Sequence, residues 1–485
     1  MNEKKLINRL ILNIKKQINT NKNIISISFV GSIDIKNNFN EISDIDVVVI
    51  VKNLNLNLFY NIKKSVNEIN LSKLGIKNRI LKINSKFGPL KFNNNKNIVI
   101  HLMIYDLEKH YNHVYNSPFT CFDWERSKKF FGKKLSKIYP VRQIQPVDFL
   151  KSRRGIRDYI RDLNKGILSY REYNFTNNKI KEVKKNIKIS KKIINEFAFH
   201  ILRFLFINEY KLETQKNILI PNKVFDKKIR EYSHKKDAEL NIYNYNYIKK
   251  LKYDSQKNFP NWTLVWIKNF VNDFNKKFKL KWDNTQTIYF IRHFKSIENK
   301  RNTFLGAGRN PPLIDTDKIK INKYLSLNPE IVYSSKLKRA YQTARLIFKN
   351  KKIIKNKLIN EIDYGFVEGI NIDELYNHYP KLIRAWKSKQ DPKFPKGENT
   401  KSVIKRLNNF INNFIKNNNK SSAIITHNVV IRCLIGQLFN LPLSDYYKIR
   451  IKHGQVIEIK IINGKLYPNI NRSDLVKIFK NIDLI

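Results

Sequence analysis

Cysteine is almost absent from this sequence, since Cys121 and Cys433 are the only two among 485 residues. Two thiols cannot build a disulfide framework or a cysteine-rich zinc site, so disulfide-stabilised secreted scaffolds and zinc-finger-type modules are excluded. Low cysteine usage is typical of proteins of the reducing cytoplasm. We therefore expect both side chains to be buried, inert thiols.

Long apolar runs are also missing. The segment MNEKKLINRLILNIKKQ scatters Lys and Arg among its apolar residues, and the runs FAFHILRFLFI and IVIHLMIY are short or carry His and Arg. A membrane-spanning helix needs about 20 predominantly apolar residues, and a secretion signal needs an uninterrupted apolar stretch. The sequence therefore predicts a cytoplasmic protein with neither a secretion signal nor a membrane partner.

Acidic residues are scarce relative to basic ones, with 40 Asp and Glu against 94 Lys and Arg and a net charge of +54. Such an excess ordinarily indicates nucleic acid as the partner. Here lysine dominates over arginine and comes with abundant Asn and Ile along the whole chain, a pattern that AT-rich codons produce without selection for phosphate contacts. Nucleic acid is therefore the less favoured partner, and a phosphorylated small molecule is also compatible with the charge.

The length and the 42% of hydrophobic residues indicate a folded protein of several domains. Residues 1–135 show short β-rich runs between helical patterns, which predicts a small α/β module with a mixed sheet. Residues 136–280 show apolar residues at three-to-four spacing, which predicts a helical domain. A Lys-rich segment at 274–286 is typical of a linker. In residues 284–485 strands alternate with helices, which predicts a three-layer α/β domain on a parallel sheet.

Imidazole and charged side chains gather at predicted strand ends of the C-terminal domain. Arg292 and His293 follow the strand TIYFI, and His427 follows AIIT. Ligands of parallel sheets bind beyond the carboxyl ends of the strands. Arg339 opens a predicted helix and Glu361 precedes a glycine-containing turn. This set supplies what phosphoryl transfer to imidazole needs without a metal: a nucleophile, cations for the phosphoryl oxygens and a proton donor.

The ordered motifs around these residues resemble the histidine phosphatase, or phosphoglycerate-mutase-like, superfamily over roughly residues 286–485. The matching stretches are Arg292-His293 with Ser296 and Asn299, the block from Ser334 to Ala344 around Arg339, Glu361 followed by Tyr364-Gly365 and Glu368-Gly369, Pro395-x-Gly397-Glu398, and Thr426-His427. Phe294 stands where the family usually has glycine, which suggests a narrowed pocket beside the nucleophile.

The resemblance implies roles for individual residues. His293 is expected to be the phosphorylated nucleophile and Glu361 the general acid. The residues expected to hold the phosphoryl group are Arg292, Arg339 and His427. The residues expected to bind the substrate are Ser296, Asn299 and Thr426. A phosphorylated small molecule is the implied substrate.

A second constellation lies near the N-terminus. Gly31-Ser32 form a predicted turn, followed after 11 residues by Asp44-Ile45-Asp46 at the start of a strand. Residues i and i+2 of a strand face the same side, so both carboxylates can bind the same divalent cation. The Gly-Ser turn lets backbone and hydroxyl groups approach phosphates.

This spacing resembles the signature of the polymerase-β-like nucleotidyltransferase superfamily, hG[GS] followed by Dh[DE]h. The resemblance implies a small nucleotidyltransferase module that binds Mg²⁺ or Mn²⁺ at Asp44 and Asp46 and a nucleoside triphosphate at Gly31 and Ser32. It also implies that the helical domain is the partner domain that many such enzymes carry.

The family usually supplies a third carboxylate from a later strand. In the segment NIVIHLMIYD the available acid is Asp106, at the end of the strand, and we name it as the third candidate metal ligand. The inward-facing positions of that strand hold His101 or Met103 instead of an acid. His101 is more readily explained as a core histidine than as a ligand.

Together these features predict a bifunctional enzyme that hydrolyses a phosphomonoester at its C-terminal domain and transfers a nucleotide to a small molecule at its N-terminal domain. Two alternatives stay open. One is a phosphatase whose N-terminal module binds nucleotide or RNA without catalysis. The other is a phosphomutase, which the 66 positions between Glu361 and His427 disfavour because they leave little room for segments that exclude water.

Overall fold

The computed structural model describes residues 3–19, 21–34, 38–39, 42, 44–88, 97–176, 179–218, 220–251, 258–314 and 321–480. The chain divides into two compact units, one of residues 1–144 with 148–281 and one of residues 145–147 with 282–483. Apart from residues 145–147, the stretches predicted as N-terminal module and helical domain lie together in the first unit. Cys121 and Cys433 are both buried thiols, as predicted. Within the described ranges, no helix is long and apolar enough to cross a membrane.

The first part of the first unit is built around a five-stranded sheet. Its elements are α1 (Glu3–Ile18), β1 (Ile24–Val30), β2 (Ile45–Val51), α2 (Leu56–Asn67), β3 (Ile80–Asn84), β4 (Asn97–Asp106), α3 (Leu107–Asn116), α4 (Pro118–Trp124) and β5 (Lys129–Gly132). The strand order is β3-β4-β2-β1-β5. Strands β3, β4 and β2 are parallel, whereas β1 runs antiparallel to β2 and β5. The sheet is therefore mixed, as predicted.

The central strands of this sheet are apolar because both of their faces are covered. Strand β2, IDVVVIV, is buried at every position except Asp46, and β4 is buried at every position except Asp106. Runs rich in valine and isoleucine are typical of strands buried on both faces. Asp46 and Asp106 lie at opposite ends of the parallel β2–β4 pair, so their side chains cannot belong to one site.

The remainder of the first unit is mainly helical. Its elements, with the helix that leads into it, are α5 (Pro146–Asn164), β6 (Ile167–Thr176), β7 (Lys179–Lys188), α6 (Lys191–Thr214), α7 (Asn222–Tyr232), α8 (Ala238–Leu251) and α9 (Thr263–Asp283). The prediction of a wholly helical domain misses the antiparallel β6–β7 hairpin. The hairpin is stabilised by a distant contact, since the Tyr173 hydroxyl donates to the Ile104 carbonyl oxygen at 2.8 Å.

The segment 274–286 is helical for most of its length, so its prediction as a linker is wrong. Helix α9 continues to Asp283. The reason is that its buried apolar residues keep helical spacing into this segment: Ile267, Phe270, Val271, Phe274 and Phe278. The lysines occupy the remaining, solvated positions of the same helix.

The second unit contains a six-stranded sheet. Its elements are β8 (Thr287–Arg292), β9 (Ile331–Ser335), α10 (Lys338–Ile347), β10 (Ile353–Asn356), α11 (Leu375–His378), α12 (Pro380–Lys387), α13 (Thr400–Asn417), β11 (Ser422–Thr426), α14 (Asn428–Leu438), β12 (Val456–Ile462), β13 (Lys465–Pro468) and α15 (Arg472–Ile478). The strand order is β10-β9-β11-β8-β12-β13. Strands β10, β9, β11 and β8 are parallel, and β12 is antiparallel to β8.

Candidate active site

The pairing of β8 with β11 brings the two predicted histidines together. Arg292 stands opposite Thr426 in the parallel register, and the His293 N–H donates to the Thr426 carbonyl oxygen at 3.0 Å. The next residue on each strand is a histidine, and the ring centroids of His293 and His427 lie 5.0 Å apart. Both rings are buried at the carboxyl edge of the sheet, where the sequence placed the site.

The local backbone selects one tautomer of His293. Its Nδ1 lies 2.5 Å from the carbonyl oxygen of Phe294, so Nδ1 carries the proton and donates it. The other nitrogen, Nε2, then carries the lone pair. Burial, and next the charges of Arg339 and Arg292, hold the pKa of His293 well below its usual value. The side chain is therefore a neutral imidazole at neutral pH, which is the state a nucleophile requires.

Arg339 is completely buried beside the histidines. Its Nη1 and Nη2 donate to the carbonyl oxygens of Arg309 and Gly306 at 3.0 and 2.9 Å. Its Nε is buried and has no partner among the described residues. Arg339 thus places a fixed positive charge in the site and keeps one N–H group for an acceptor such as a phosphoryl oxygen.

Arg292 is oriented by a histidine that the sequence analysis did not single out, His453. The Arg292 Nη1 donates to the Ile451 carbonyl oxygen at 2.6 Å, and its Nη2 lies 3.2 Å from the His453 Nε2, which accepts. The Nδ1 of His453 donates to the His293 carbonyl oxygen at 3.1 Å. In the sequence, His453 is marked only by its position before Gly454 and the strand β12. Its proximity to Arg292 depends on the antiparallel pairing of β12 with β8.

A hydroxyl at the end of β9 orients His427. The Ser335 Oγ donates to the Asn360 Oδ1 at 2.9 Å, so it accepts from the His427 Nε2 at 2.8 Å. The Nδ1 of His427 is buried and lacks a partner among the described residues. Burial, followed by the charge of Arg339, lowers the pKa of His427 well below its usual value. A phosphate dianion beside Nδ1 would favour the protonated ring, which can then donate to it.

Glu361 lies at the N-terminus of α14. Its carboxylate oxygens accept from the backbone N–H groups of Asn428 and Val429 at 3.1 and 3.2 Å. Burial raises the pKa of Glu361 above its usual value, although the charge of Arg339 opposes this shift. The raised pKa favours the protonated carboxyl group, as a general acid requires.

Arg406 holds the segment that carries Glu361, and it explains the Pro395-x-Gly397-Glu398 motif. Its guanidinium donates to the Glu361 carbonyl oxygen at 3.0 Å and pairs with the Glu398 carboxylate at 2.9 and 3.1 Å. It also donates to the carbonyl oxygens of Leu358 and Asn360. One planar guanidinium therefore holds three carbonyl oxygens of the segment that ends at the acid. Glu398 belongs to a motif that is visible in the sequence, whereas no motif singles out Arg406.

Of the three residues predicted to bind substrate, Thr426 and Ser296 form hydrogen bonds within the protein and Asn299 lines the cavity. Thr426 donates its hydroxyl hydrogen to the Ile359 carbonyl oxygen at 2.7 Å, so it supports the Glu361 segment and its prediction as a substrate ligand is corrected. The Ser296 hydroxyl is fully buried and donates to the Asn299 Oδ1 at 2.8 Å, which closes a local cap. Ser296 is therefore also engaged within the protein. Only Asn299 lines the cavity described next.

A cavity of about 700 Å³ opens over His293. Arg292, Glu361 and His453 line the end of the cavity at His293, and the rest is lined by aromatic and aliphatic residues together with polar ones such as Lys387, Asp391 and Arg450. Phe294, predicted to narrow the pocket, instead packs in the core 5.7 Å from the ring of Tyr324. The cavity therefore keeps a wide space beside the nucleophile.

The N-terminal constellation also comes together. Ligand atoms of Asp44, Asp46 and His101 all lie within 4.8 Å of one another. Gly31 has a φ of +76°, and a Cβ on it would lie 2.4 Å from the Asp46 Oδ2, so the turn packs directly on this carboxylate. The Ser32 hydroxyl is buried and has no partner among the described residues. The parallel β2–β4 pairing, with Asp46 opposite His101, produces this cluster.

Asp106 does not join this cluster, so its prediction as a third metal ligand is corrected. It lies opposite Val51, five positions beyond His101 along β4, or roughly 16 Å at the usual rise of a strand. Its carboxylate accepts from the Lys109 backbone N–H at 2.7 Å and caps α3. The third position of the cluster belongs to a histidine.

His101 is held at both ring nitrogens. Its Nδ1 lies 2.8 Å from the Asp46 Oδ1 and its Nε2 lies 2.8 Å from the Lys86 carbonyl oxygen. Both partners are acceptors. Burial lowers the pKa of His101, but the hydrogen bond and charge of Asp46, with the charge of Asp44, raise it overall. The raised pKa favours a protonated His101, which would place a positive charge beside the two carboxylates.

Comparison with known proteins identifies relatives of the second unit. Residues 288–470 match the family model of the histidine phosphatase superfamily (branch 1). Phosphoserine phosphatase 1 of Hydrogenobacter thermophilus is 29% identical over 173 residues, covering 33% of this chain and 79% of that protein. The 2,3-bisphosphoglycerate-dependent phosphoglycerate mutase of Parvibaculum lavamentivorans is 27% identical over 185 residues, covering 35% and 88%. A solved phosphoserine phosphatase from Entamoeba histolytica aligns with 38% of this chain and 95% of its own, at 21% identity and a TM-score of 0.35.

The role of Arg406 in holding the acid can be tested without an activity assay. We expect Arg406→Lys to speed amide hydrogen exchange in residues 358–363 by at least about tenfold, because a charge-assisted hydrogen bond contributes about 1.5–3 kcal/mol and lysine cannot reproduce the planar donor set. Mass spectrometry of exchanged peptides measures the effect. Arg384→Lys, at an exposed position of α12, is the matched control. Equal exchange in both variants would contradict this role.

Proposed function

We propose that the histidine phosphatase superfamily domain formed by residues 288–470 hydrolyses a phosphomonoester through a phosphohistidine at His293. The observation that carries the proposal is the tautomer of this residue, since Nδ1 donates to a backbone carbonyl oxygen and leaves Nε2 with its lone pair. That nitrogen lies in a buried site with two arginines, a second histidine and a carboxyl group of raised pKa. These are the groups that phosphoryl transfer to imidazole requires.

In the first step the His293 Nε2 attacks phosphorus, and the bond from phosphorus to the alcohol oxygen breaks. Arg292 and Arg339 stabilise the negative charge on the phosphoryl oxygens. Glu361, protonated because of its burial, gives its proton to the departing alcohol oxygen. The alcohol leaves, and His293 carries the phosphoryl group.

In the second step a water molecule attacks phosphorus and the phosphorus–nitrogen bond breaks. Glu361, now ionised, accepts a proton from this water, so the acid of the first step is the base of the second. Inorganic phosphate leaves and His293 regains its lone pair. Throughout both steps the His293 Nδ1 keeps its proton and donates it in a hydrogen bond to the Phe294 carbonyl oxygen, which keeps the ring in one orientation.

Hydrolysis is favoured over phosphoryl transfer between two substrates. A mutase must keep water away from its phosphorylated intermediate. The cavity over His293 is lined on its outer side by Lys387, Tyr447 and Arg450, all of which are exposed, and 67% of the Tyr447 surface is accessible. Water therefore has access to the phosphohistidine, which supports its hydrolysis.

We expect His293→Ala to abolish phosphate release, because no other side chain is aligned as a nucleophile. Phosphate release from a panel of phosphomonoesters, with and without EDTA, measures the effect. EDTA is expected to leave wild-type turnover unchanged, and the wild type should retain acid-labile, base-stable phosphate after rapid quenching. His378→Ala, at an exposed histidine of α11, is the control. Substantial turnover by the His293 variant would exclude the proposed intermediate.

The pH dependence follows from the two opposite pKa shifts. The nucleophile must be deprotonated, so kcat/KM rises as pH increases through the lowered pKa of His293. The acid must be protonated, so kcat/KM falls as pH increases through the raised pKa of Glu361. We expect Glu361→Gln to lower kcat/KM by about 10²–10⁴-fold and to remove the limb at high pH.

Phosphate release measured across a pH series tests this assignment. Glu374→Gln, at an exposed glutamate, is expected to keep both the rate and the bell shape. A Glu361→Gln profile that retains the high-pH limb would assign that limb to another group.

For the N-terminal cluster we propose metal-dependent binding of a nucleoside triphosphate. The Asp44 and Asp46 carboxylates are oxygen ligands of the kind Mg²⁺ and Mn²⁺ prefer. The bound cation would neutralise the phosphates of the nucleotide. The buried, unpartnered Ser32 hydroxyl and the Gly31 turn against Asp46 support phosphate contacts beside the cation. We also propose that the nucleotide is transferred to a small molecule. Because His101 stands where a third carboxylate is expected, nucleotide binding is the part of the proposal that the cluster supports directly.

We expect Asp44→Asn with Asp46→Asn to remove nucleotide binding that depends on Mg²⁺ or Mn²⁺, because amides do not supply the negative charge that holds the cation. Isothermal calorimetry with ATP and GTP, with either metal or with EDTA, measures the loss. The control is Glu68→Gln with Asp158→Asn, two acidic residues with largely exposed side chains. Equal binding by the wild type and the double variant would end the nucleotide proposal and leave the phosphatase proposal intact.

A further inference from the structure

The cavity over His293 has an aromatic wall that the phosphoryl-transfer steps do not use. Phe304, Tyr364, Trp386 and Phe394 all line it. Their rings form a connected cluster, with centroids 5.0 Å apart for Phe304 and Tyr364, 4.7 Å for Tyr364 and Phe394, and 5.1 Å for Trp386 and Phe394. The interplanar angles of 66–80° are edge-to-face contacts, which fix each ring against its neighbour.

The backbone around this wall is tightly held. The Phe304 N–H donates to the Ile370 carbonyl oxygen at 3.0 Å, and the Phe394 N–H donates to the Glu398 carbonyl oxygen at 3.0 Å. Gly365, with a φ of +53°, lets the Tyr364 segment approach the Pro395 carbonyl oxygen, where a Cβ would lie 2.0 Å away. The wall is therefore formed before any ligand enters, so a ligand does not have to order it.

The two ends of the cavity differ in chemistry. The floor is polar, formed by His293 with Arg292 and Glu361. The space beyond it is lined by the aromatic wall and by Leu305, Ile362, Ile383 and Leu443. Polar and charged residues, among them Lys387, Asp391 and Arg450, line the rest of this space. The volume of about 700 Å³ falls within the ~300–1,000 Å³ typical of sites for drug-sized ligands. A small phosphomonoester would fill the floor and leave the aromatic wall uncovered.

We infer that the substrate of this site is a phosphomonoester whose alcohol part is bulky and ring-bearing, and that the wall of Phe304, Tyr364, Trp386 and Phe394 selects it. This inference rests on the proposed phosphatase function and names the substrate class of that site. The floor takes the phosphoryl group and the wall takes the ring. Binding of the ring away from the reacting atoms positions the phosphorus against the His293 Nε2.

The test compares two alkyl esters with similar leaving groups, 2-(2-naphthyl)ethyl phosphate and ethyl phosphate. Because the alcohol oxygens are chemically alike, the ratio of their kcat/KM values reports contacts with the ring. We expect the wild type to favour the naphthyl ester by at least about 30-fold, the ratio that burial of an aromatic group produces. Trp386→Leu is expected to lower this ratio by about tenfold.

Two further variants distinguish loss of the ring contact from general damage to the fold. Trp386→Tyr retains a ring in the wall and should restore most of the ratio. Phe366→Leu is the matched control, because Phe366 is an aromatic residue of the same unit that is 65% exposed and lies outside the cavity lining. It should keep the wild-type ratio.

The failures of the two proposals are distinguishable. Equal or faster hydrolysis of ethyl phosphate by the wild type overturns the substrate inference and leaves the phosphatase function standing. A naphthyl preference that Trp386→Leu leaves unchanged also overturns the inference, since the wall then plays no part. Absence of hydrolysis of either ester, together with absence of a phosphohistidine, overturns both proposals.

Discussion

The parallel pairing of β8 with β11 is the constraint on which the catalytic arrangement of the second unit depends. Because both strands run in the same direction and stay in register, their carboxyl ends meet at one edge, and the next residues are His293 and His427. Strand β9 ends at the same edge and supplies Ser335, which orients His427. A one-residue slip in this register would turn one imidazole towards the opposite face of the sheet. The antiparallel strand β12 adds His453 from the other direction.

Burial at that edge prepares two groups in opposite ways. Removing solvent disfavours charge, so the same environment lowers the pKa of His293 and raises the pKa of Glu361. These shifts favour a neutral imidazole next to a protonated carboxyl group, which is the pairing that the proposed phosphoryl transfer requires. The buried polar groups around them are costly unless they are hydrogen-bonded. Arg406 donates a hydrogen bond to the Glu361 carbonyl oxygen, and the Phe294 carbonyl oxygen accepts one from the His293 Nδ1.

The first unit uses the same geometric principle with a different chemical outcome. Parallel strands β2 and β4 bring Asp46 and His101 together, as β8 and β11 bring the two histidines together. Here the site carries two carboxylates, and a bound cation would relieve their mutual repulsion. The imidazole of His101 supplies part of that positive charge through its contact with Asp46. Asp44 and Asp46 therefore form a candidate cation site next to the imidazole of His101. In the second unit, by contrast, Arg292 and Arg339 supply positive charge for the proposed phosphate.

Local patterns predicted the residues of the candidate phosphatase site, the strands that carry them and the two buried thiols, because strand ends, motif spacing and composition are properties of short stretches. Tertiary structure decided which distant residues each of these side chains contacts. The Thr426 hydroxyl bonds to Ile359, Phe294 enters the core, and Asp106 lies five positions from the cluster it was expected to join. His101, His453 and Arg406 gain their roles from partners 45 or more positions away. Strand register and long-range hydrogen bonds set these contacts, and neither leaves a signal in the sequence near the residue concerned.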